Sequence, residues 1–486
     1  MSLFRLKPIA DLQREAGANH GLKRTLGPLS LVSLGIGSVV GAGIFVLTGQ
    51  AAAQYAGPAI ALSFVFSGLA CLFAGLCYAE LAAMIPVAGS AYTYTYATLG
   101  ELCAWIVGWC LILEYLFSGA AVAVGWSGAF QDILKEFGWH LPAALSQAPY
   151  VMEKGRVVSS GALINLPAVA ISLALTYILF IGIRESARFN DVMVIIKVGV
   201  LLALVGYGVW YLFKHPALAQ ANWTPFIPPN SGTFGEYGWS GIFRGAGAIF
   251  FAYVGFDCVS AAAQESKNPQ RDMPIGLLGT LLCVSLLFIS VSLVLTGLMH
   301  YTKLNVDAPV IRALQEIQAP ALFRYLVEAG ALAGLTSVIL VSLLGQPRIF
   351  FSMSRDGLLP STFARIHPRY GTPHITTWIT GTGCAILSGL LPLDLLGELI
   401  SIGTLLAFAM VCGGVLVLRR TQPDLPRPFR TPLVPLIPLL GVATCLIQMF
   451  SLPAITWRNL LIWLALGLAV YFFYSRRHSK LNLPPA

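Results

Sequence analysis

Charge is what this sequence has least of. Of its 486 residues only 10% are Asp, Glu, Lys or Arg, while 57% are hydrophobic; an ordinary soluble domain is roughly 25% charged. No soluble core of this size could hide so much apolar surface, which excludes a globular aqueous fold. The gaps between apolar runs are short, so a soluble catalytic or sensory domain has no place in the chain. The formal charge of +9 is spread among those gaps, not gathered on one face, which argues against a nucleic-acid partner. Metal and disulfide chemistry lack their motifs. The nine cysteines (Cys71, Cys77, Cys103, Cys110, Cys258, Cys283, Cys384, Cys412 and Cys445) all fall inside apolar runs, without CxxC spacing or histidine partners. They read as small packing residues, and no cofactor is expected. The polar N-terminal tail, with Arg14, Glu15, Lys23 and Arg24, does not have the form of a cleavable signal peptide.

What the chain does have is a succession of apolar runs, each near the ~20 residues that cross a bilayer. They predict spans at about 29–53, 57–84, 99–130, 162–183, 189–213, 239–265, 274–299, 321–352, 374–395, 398–419, 432–452 and 456–475. The fold class is therefore an all-α membrane protein of about 12 transmembrane helices, with the lipid bilayer as its first partner. With the N-terminus in the cytoplasm, most lysines and arginines fall on the cytoplasmic side, among them Arg184, Arg188, Lys267, Arg271, Arg355, Arg365 and Arg369. The positive-inside rule is then satisfied, and both termini are expected inside a cell membrane crossed many times.

Two spans are interrupted. The first contains Leu34-Gly-Ile-Gly-Ser-Val-Val-Gly-Ala-Gly-Ile-Phe45, and glycine costs about 1 kcal/mol per helical position relative to alanine. The sixth contains Gly245-Ala-Gly-Ala-Ile-Phe-Phe-Ala-Tyr-Val-Gly-Phe-Asp257. Glycines also serve close helix packing, as Gly37 with Gly41 would. Breaks at matching places in two five-span units, however, point to inverted repeats with a binding site at the breaks. This divides the chain into a tail (1–28), a first repeat (29–213), a second inverted repeat (239–419), two peripheral helices (432–475) and a C-terminal tail (476–486).

Unwound backbone at mid-membrane must line a cavity, since unpaired groups in lipid cost several kcal/mol each. Beyond the first break, the N–H groups of Ala42, Gly43 and Ile44, close to Gly41, open a half-helix whose positive end attracts an anion. Carbonyls near Val39 and Ser38, and those of Phe251, Ala252 and Val254 in the sixth span, suit an ammonium. A carboxylate and an ammonium a few Å apart describe the backbone of an α-amino acid. Phe251 and Tyr253 would either gate such a cavity or face lipid.

The stretches Gly41-Ala-Gly-Ile-Phe45, Gly89-Ser-Ala-Tyr-Thr-Tyr94, Ser186-Ala-Arg-Phe-Asn190, Phe250-Phe-Ala-Tyr-Val-Gly-Phe-Asp257, Asn268-Pro-Gln-Arg-Asp-Met-Pro-Ile275 and Ser354-Arg-Asp-Gly-Leu-Leu-Pro360 together resemble the cationic amino acid transporter family of the amino acid–polyamine–organocation superfamily. The similarity runs over nearly the whole chain. It implies a five-plus-five inverted-repeat core with broken first and sixth helices, an amino-acid substrate bound at the breaks, and no enzymatic activity. Ala42 stands at a motif position where the family tolerates a side chain. Glu101, in Gly100-Glu-Leu-Cys-Ala-Trp105, matches a glutamate of the family and reads as structural.

Intramembrane charges are functional hypotheses by default. Lys197 lies in the fifth span, close enough to its inner end that snorkelling is an alternative. The resemblance implies a proton role, because in proton-coupled members a lysine here takes the place of sodium in sodium-coupled relatives. Bonded to carbonyls near Gly37, and withdrawn from water so that its proton becomes exchangeable, it would couple a proton to the inward–outward transition. Glu114 sits near mid-membrane and requires neutrality or a partner: either a protonated carboxyl bonded to a neighbouring helix, or Lys197, the nearest candidate in the arrangement the resemblance implies. Asp257 follows the sixth-span break and would steady the loop or serve an inner gate. Ser342, within Val341-Ser-Leu-Leu-Gly-Gln-Pro-Arg348, is either helix packing or a small polar wall. In the second case it leaves room for a long cationic side chain, as the serine of eukaryotic members does. A channel would need rings of pore-lining charge, whereas one break per half suits alternating access. An amino-acid exchanger without proton coupling is the nearer alternative, and Lys197 separates the two.

Overall fold

The computed structural model describes residues 4–17, 24–41, 43–87, 89–136, 138–153, 156–306, 308–391, 393–452 and 454–482. Among the described residues the chain is almost entirely helical. Eight helices are long and apolar enough to cross a membrane, and shorter apolar helices such as Pro28–Val39, Leu166–Ile181 and Leu436–Phe450 add to them. With His374–Leu390 they give the expected multi-span architecture.

The boundaries differ from the expected ones where polar residues extend a helix beyond the apolar run. The third span is Glu101–Glu136, and the fifth begins at Ile183, so the loop-like Arg188 and Asn190 lie within its first turns. Between the second and third spans a buried helix, Ser90–Thr98, lies within the protein. An antiparallel hairpin, Tyr150–Glu153 with Arg156–Ser159, interrupts the otherwise all-α chain between the third and fourth spans.

Packing follows membrane rules, in which small residues and buried hydroxyls do the work of the aqueous hydrophobic effect. The first span lies against the seventh, Pro269–Leu298, at two glycines. A Cβ on Gly35 would stand 2.1 Å from Thr280 Oγ1, and one on Gly276 would stand 2.8 Å from Leu31 Cβ. Ser63 and Ser67 of the second span, Ile60–Met84, donate to Ile242 O and Ala246 O of the sixth, each at 2.8 Å.

Both tails meet on one face. The N-terminal helix Ile9–Gly17 buries Ile9 and Leu12. Just before it, Arg5 donates to Leu481 O (2.8 Å) and Lys7 pairs with Asp356 (2.6 Å). Glu101 sits beneath them and accepts from the hydroxyls of Tyr96, Tyr471 and Ser479, a satisfied structural carboxylate.

Candidate functional site

The first break is shorter than its glycines suggest. The helix runs through Gly35 and Gly37 to Val39 and ends at Val40, whose backbone is extended (φ −78°, ψ 95°). It resumes as a wide turn, Gly43–Leu47. Gly35 and Gly37 are packing glycines, and only Gly41 and Gly43 belong to the break; Ala42 lies outside the described residues. Sequence alone does not separate the two uses, because each needs a missing Cβ. The Ile44 N–H turns back to Gly41 O (3.2 Å), so it is engaged within the break itself.

The sixth span, Gly238–Ile249, tightens into Phe250–Tyr253 and then extends at Val254 (φ −58°, ψ 136°). Gly255 follows with φ +107°, a conformation open to glycine at little cost. Here the Val254 N–H donates to Phe251 O (3.2 Å). The two breaks touch directly: a Cβ on Gly43 would lie 2.5 Å from Ala252 Cα and 2.4 Å from its Cβ. The Ser38 hydroxyl is 2.8 Å from both Gly35 O and Gly255 O and links the two segments. Tyr253 neither gates the cavity nor faces lipid. Fully buried, it donates to Phe64 O (3.0 Å) and packs on Phe64 and Phe288.

Lys197 does not snorkel; it is fully buried. Its ammonium donates to Gly37 O (2.9 Å), Val40 O (2.9 Å) and Ser337 Oγ (2.7 Å). An ammonium has three donors, so all are used, two of them on the carbonyls freed where the first span ends. Val40, not Val39, presents the outermost of these carbonyls. Ser337, on the eighth span Ala321–Arg355, is itself 3.0 Å from Gly37 O. One amine thus ties the fifth, first and eighth spans together at the break.

Glu114 has a different neighbourhood from the one expected. Its carboxylate makes no hydrogen bond or ion pair with Lys197, and among the described residues both its oxygens lack a hydrogen-bond partner. Its electrostatic neighbours are Asp257 and Thr404. Sequence gives the height of a residue in the membrane but not which way the helix faces, and the third span turns Glu114 toward the sixth. Asp257 accepts from Tyr115 OH (3.1 Å) and Ser90 Oγ (3.3 Å), which fastens the sixth-span break to the third span and to the buried helix before it.

A small cavity lies at the meeting of these elements. Glu114, Tyr115 and Ser118 line it from the third span, Ser38, Val254 and Gly255 from the breaks, and Val341 and Ser342 from the eighth span. Glu114, Val254 and Ser342 are thereby brought together, with Glu114 on the same wall system as Ser342. Across the cavity's flank Ser342 faces Gly119, where a Cβ would sit 3.5 Å from the serine Cβ. Ser118 escaped the sequence reading, although its i, i+4 spacing from Glu114 puts both on one helical face. Cys258, which also lines the cavity, carried no such signal.

Comparison with known proteins decides the family. A family model described as amino acid permease matches residues 26–473. The chain belongs to the amino acid permease family. It is a multi-pass membrane protein of a transporter family. It is 47% identical over 482 residues to a branched-chain amino acid permease of Bacillus subtilis, covering 99% of both chains. It is 45% identical, with 99% of each chain covered, to a methylthioribose transporter of the same organism. A vacuolar cationic amino acid transporter of Arabidopsis thaliana is 37% identical, over 83% of this chain and 65% of that one.

Proposed function

We propose that this permease is a proton-coupled amino-acid symporter working by alternating access. Lys197 carries the reading, with two of its donors on carbonyls where the first span's helix ends and the third on Ser337 at the middle of the eighth. A neutral amine has two donors and a lone pair, so it cannot serve three acceptors; loss of the proton would oblige Ser337 to turn its hydroxyl inward or Val40 O to be released. Either change alters how the first span is held, which is what coupling requires. In this reading the substrate carboxylate lies at the backbone of Gly41, Ala42 and Gly43, with Ile44 behind. Its ammonium lies at the carbonyls of Val39, Phe251, Ala252 and Val254.

Repeats 29–213 and 239–419 form the moving core, 432–475 is peripheral, and both tails are cytoplasmic at the cell membrane. Ser342 and Glu114 form the side-chain end, a small hydroxyl wall beside a carboxylate, which suits a cationic side chain such as arginine, lysine or ornithine. A second reading, a neutral substrate with Glu114 protonated, is favoured by the names of the two full-length bacterial relatives. Uptake of labelled leucine into proteoliposomes with arginine as competitor separates them: competition supports the first reading, and leucine uptake indifferent to arginine supports the second. A pH gradient that drives no accumulation in the absence of internal substrate would leave an exchanger instead.

A further inference from the structure

We infer that the proton leaves Lys197 through a narrow crevice on the face that carries both tails, and that Asn190 guards its inner end. The inference rests on the proton-coupled reading and adds the route. The crevice, with room for about 20 Å³ of water and a mostly apolar exposed lining, lies between the first, fifth and eighth spans and the segment after the sixth; Ser30, Asn190, Asp191 and Glu265 are its polar walls, and Leu340 and Leu344 are among the apolar ones.

Each wall leads upward to an atom that holds the lysine. Asn190 precedes Lys197 by seven residues, two helical turns or about 10 Å on the same face. Leu340 lies one turn from Ser337, and Leu34, also in the wall, lies one turn below Gly37. The contact is close at the top. A Cβ on Gly37 would stand 2.3 Å from Asn190 Oδ1, so the amide packs directly under the residue whose carbonyl accepts from Lys197.

The crevice is also poor in satisfied acceptors. Asn190 Oδ1 and Glu265 Oε2 are both in buried side chains, and neither has a hydrogen-bond partner among the described residues. Asn190 spends its N–H on Ser33 O (3.3 Å), and Glu265 spends its other oxygen on Arg348 (2.7 Å). Buried acceptors left this way are costly unless water reaches them. Among the described residues the charged groups along the path are Asp191, which accepts from Ser33 Oγ (2.6 Å), Glu265 and Arg348. Around the ammonium itself, among the described residues, the first span presents the carbonyls of Gly37 and Val40 and the eighth the Ser337 hydroxyl. In the transfer the N–H bond breaks, the electron pair stays on Nζ, and the proton passes to water in the crevice. The resulting hydronium is relayed past Asn190, Asp191 and Glu265 to bulk solvent.

Asn190→Leu, of similar size but apolar, tests the route in proteoliposomes. With wild-type protein, net uptake rises as the pH on the tail-bearing side is raised. In Asn190→Leu net uptake falls by about tenfold and loses that pH response, while substrate counterflow at equal pH stays within about twofold; Asn190→Ser keeps both. Should Asn190→Leu not yield folded protein, Ser30→Leu at the crevice wall carries the same expectation. Wild-type pH response in the variant overturns the route, and so does loss of counterflow in step with net uptake. A wild type without pH-driven uptake overturns the proton-coupled reading and the route together.

Discussion

Replacing Lys197 by methionine keeps most of the side chain's length, one atom short, and removes its three donors. Gly37 O retains the Ser337 hydroxyl at 3.0 Å, whereas Val40 O loses its partner. One buried carbonyl left unsatisfied costs about 1–3 kcal/mol, enough to loosen the break but small against the packing that surrounds it, so the variant folds. The functional consequence is larger and of a different kind. One pH unit is worth about 1.4 kcal/mol per proton, so a symporter carrying one proton per substrate accumulates about tenfold for each unit of imposed gradient. Without an amine at position 197 there is no proton to carry, and the accumulation ratio falls to about one at any gradient. Labelled substrate is followed to its plateau in proteoliposomes at several imposed gradients, with counterflow as the control for a working translocation cycle. A plateau near tenfold per pH unit in Lys197→Met would refute the reasoning, whatever its effect on rate.

Other consequences follow from the same contacts. Gly43→Val places a side chain where a Cβ already meets Ala252 at 2.4 Å; uptake is expected to fall by about a hundredfold at normal expression, in keeping with the cost of misplacing a site by about 1 Å. Ser342→Leu fills the wall beside Glu114, and competition by arginine is expected to weaken about tenfold or more while that by alanine changes little, read as inhibition constants. Glu101→Gln removes the charge that three hydroxyls share, and a loss of about 1–3 kcal/mol is expected in thermal unfolding, with substrate selectivity intact.

Much of this was legible in the sequence because charge and helix breakers stand out in an apolar chain. Lys197 announced itself by being a lysine in a span; its bonding to carbonyls near Gly37 was implied by the family resemblance, while its third acceptor, Ser337, gave no signal. The breaks were legible as regions and less so as residues. Gly35 and Gly37 proved to be contact points for Thr280 and Asn190, and a string of letters does not say whether a missing Cβ serves a neighbour or a bend. The surroundings of Glu114 were not legible, since they depend on which way the third span is turned, and that is set by its packing on the eighth and tenth spans. Nor were the joined tails, where Arg5 meets Leu481: no local pattern encodes a contact between the two ends of a chain. The hairpin at Tyr150–Ser159 was obscured by the polar loop around it.

The central claim is that substrate and proton enter together. Its most direct measure is the internal pH of proteoliposomes, reported by an enclosed dye, when external amino acid is added with no pH gradient imposed. The account predicts acidification inside that accompanies labelled substrate entry in wild type and is lost in Lys197→Met. Substrate entry with no change in internal pH would contradict it.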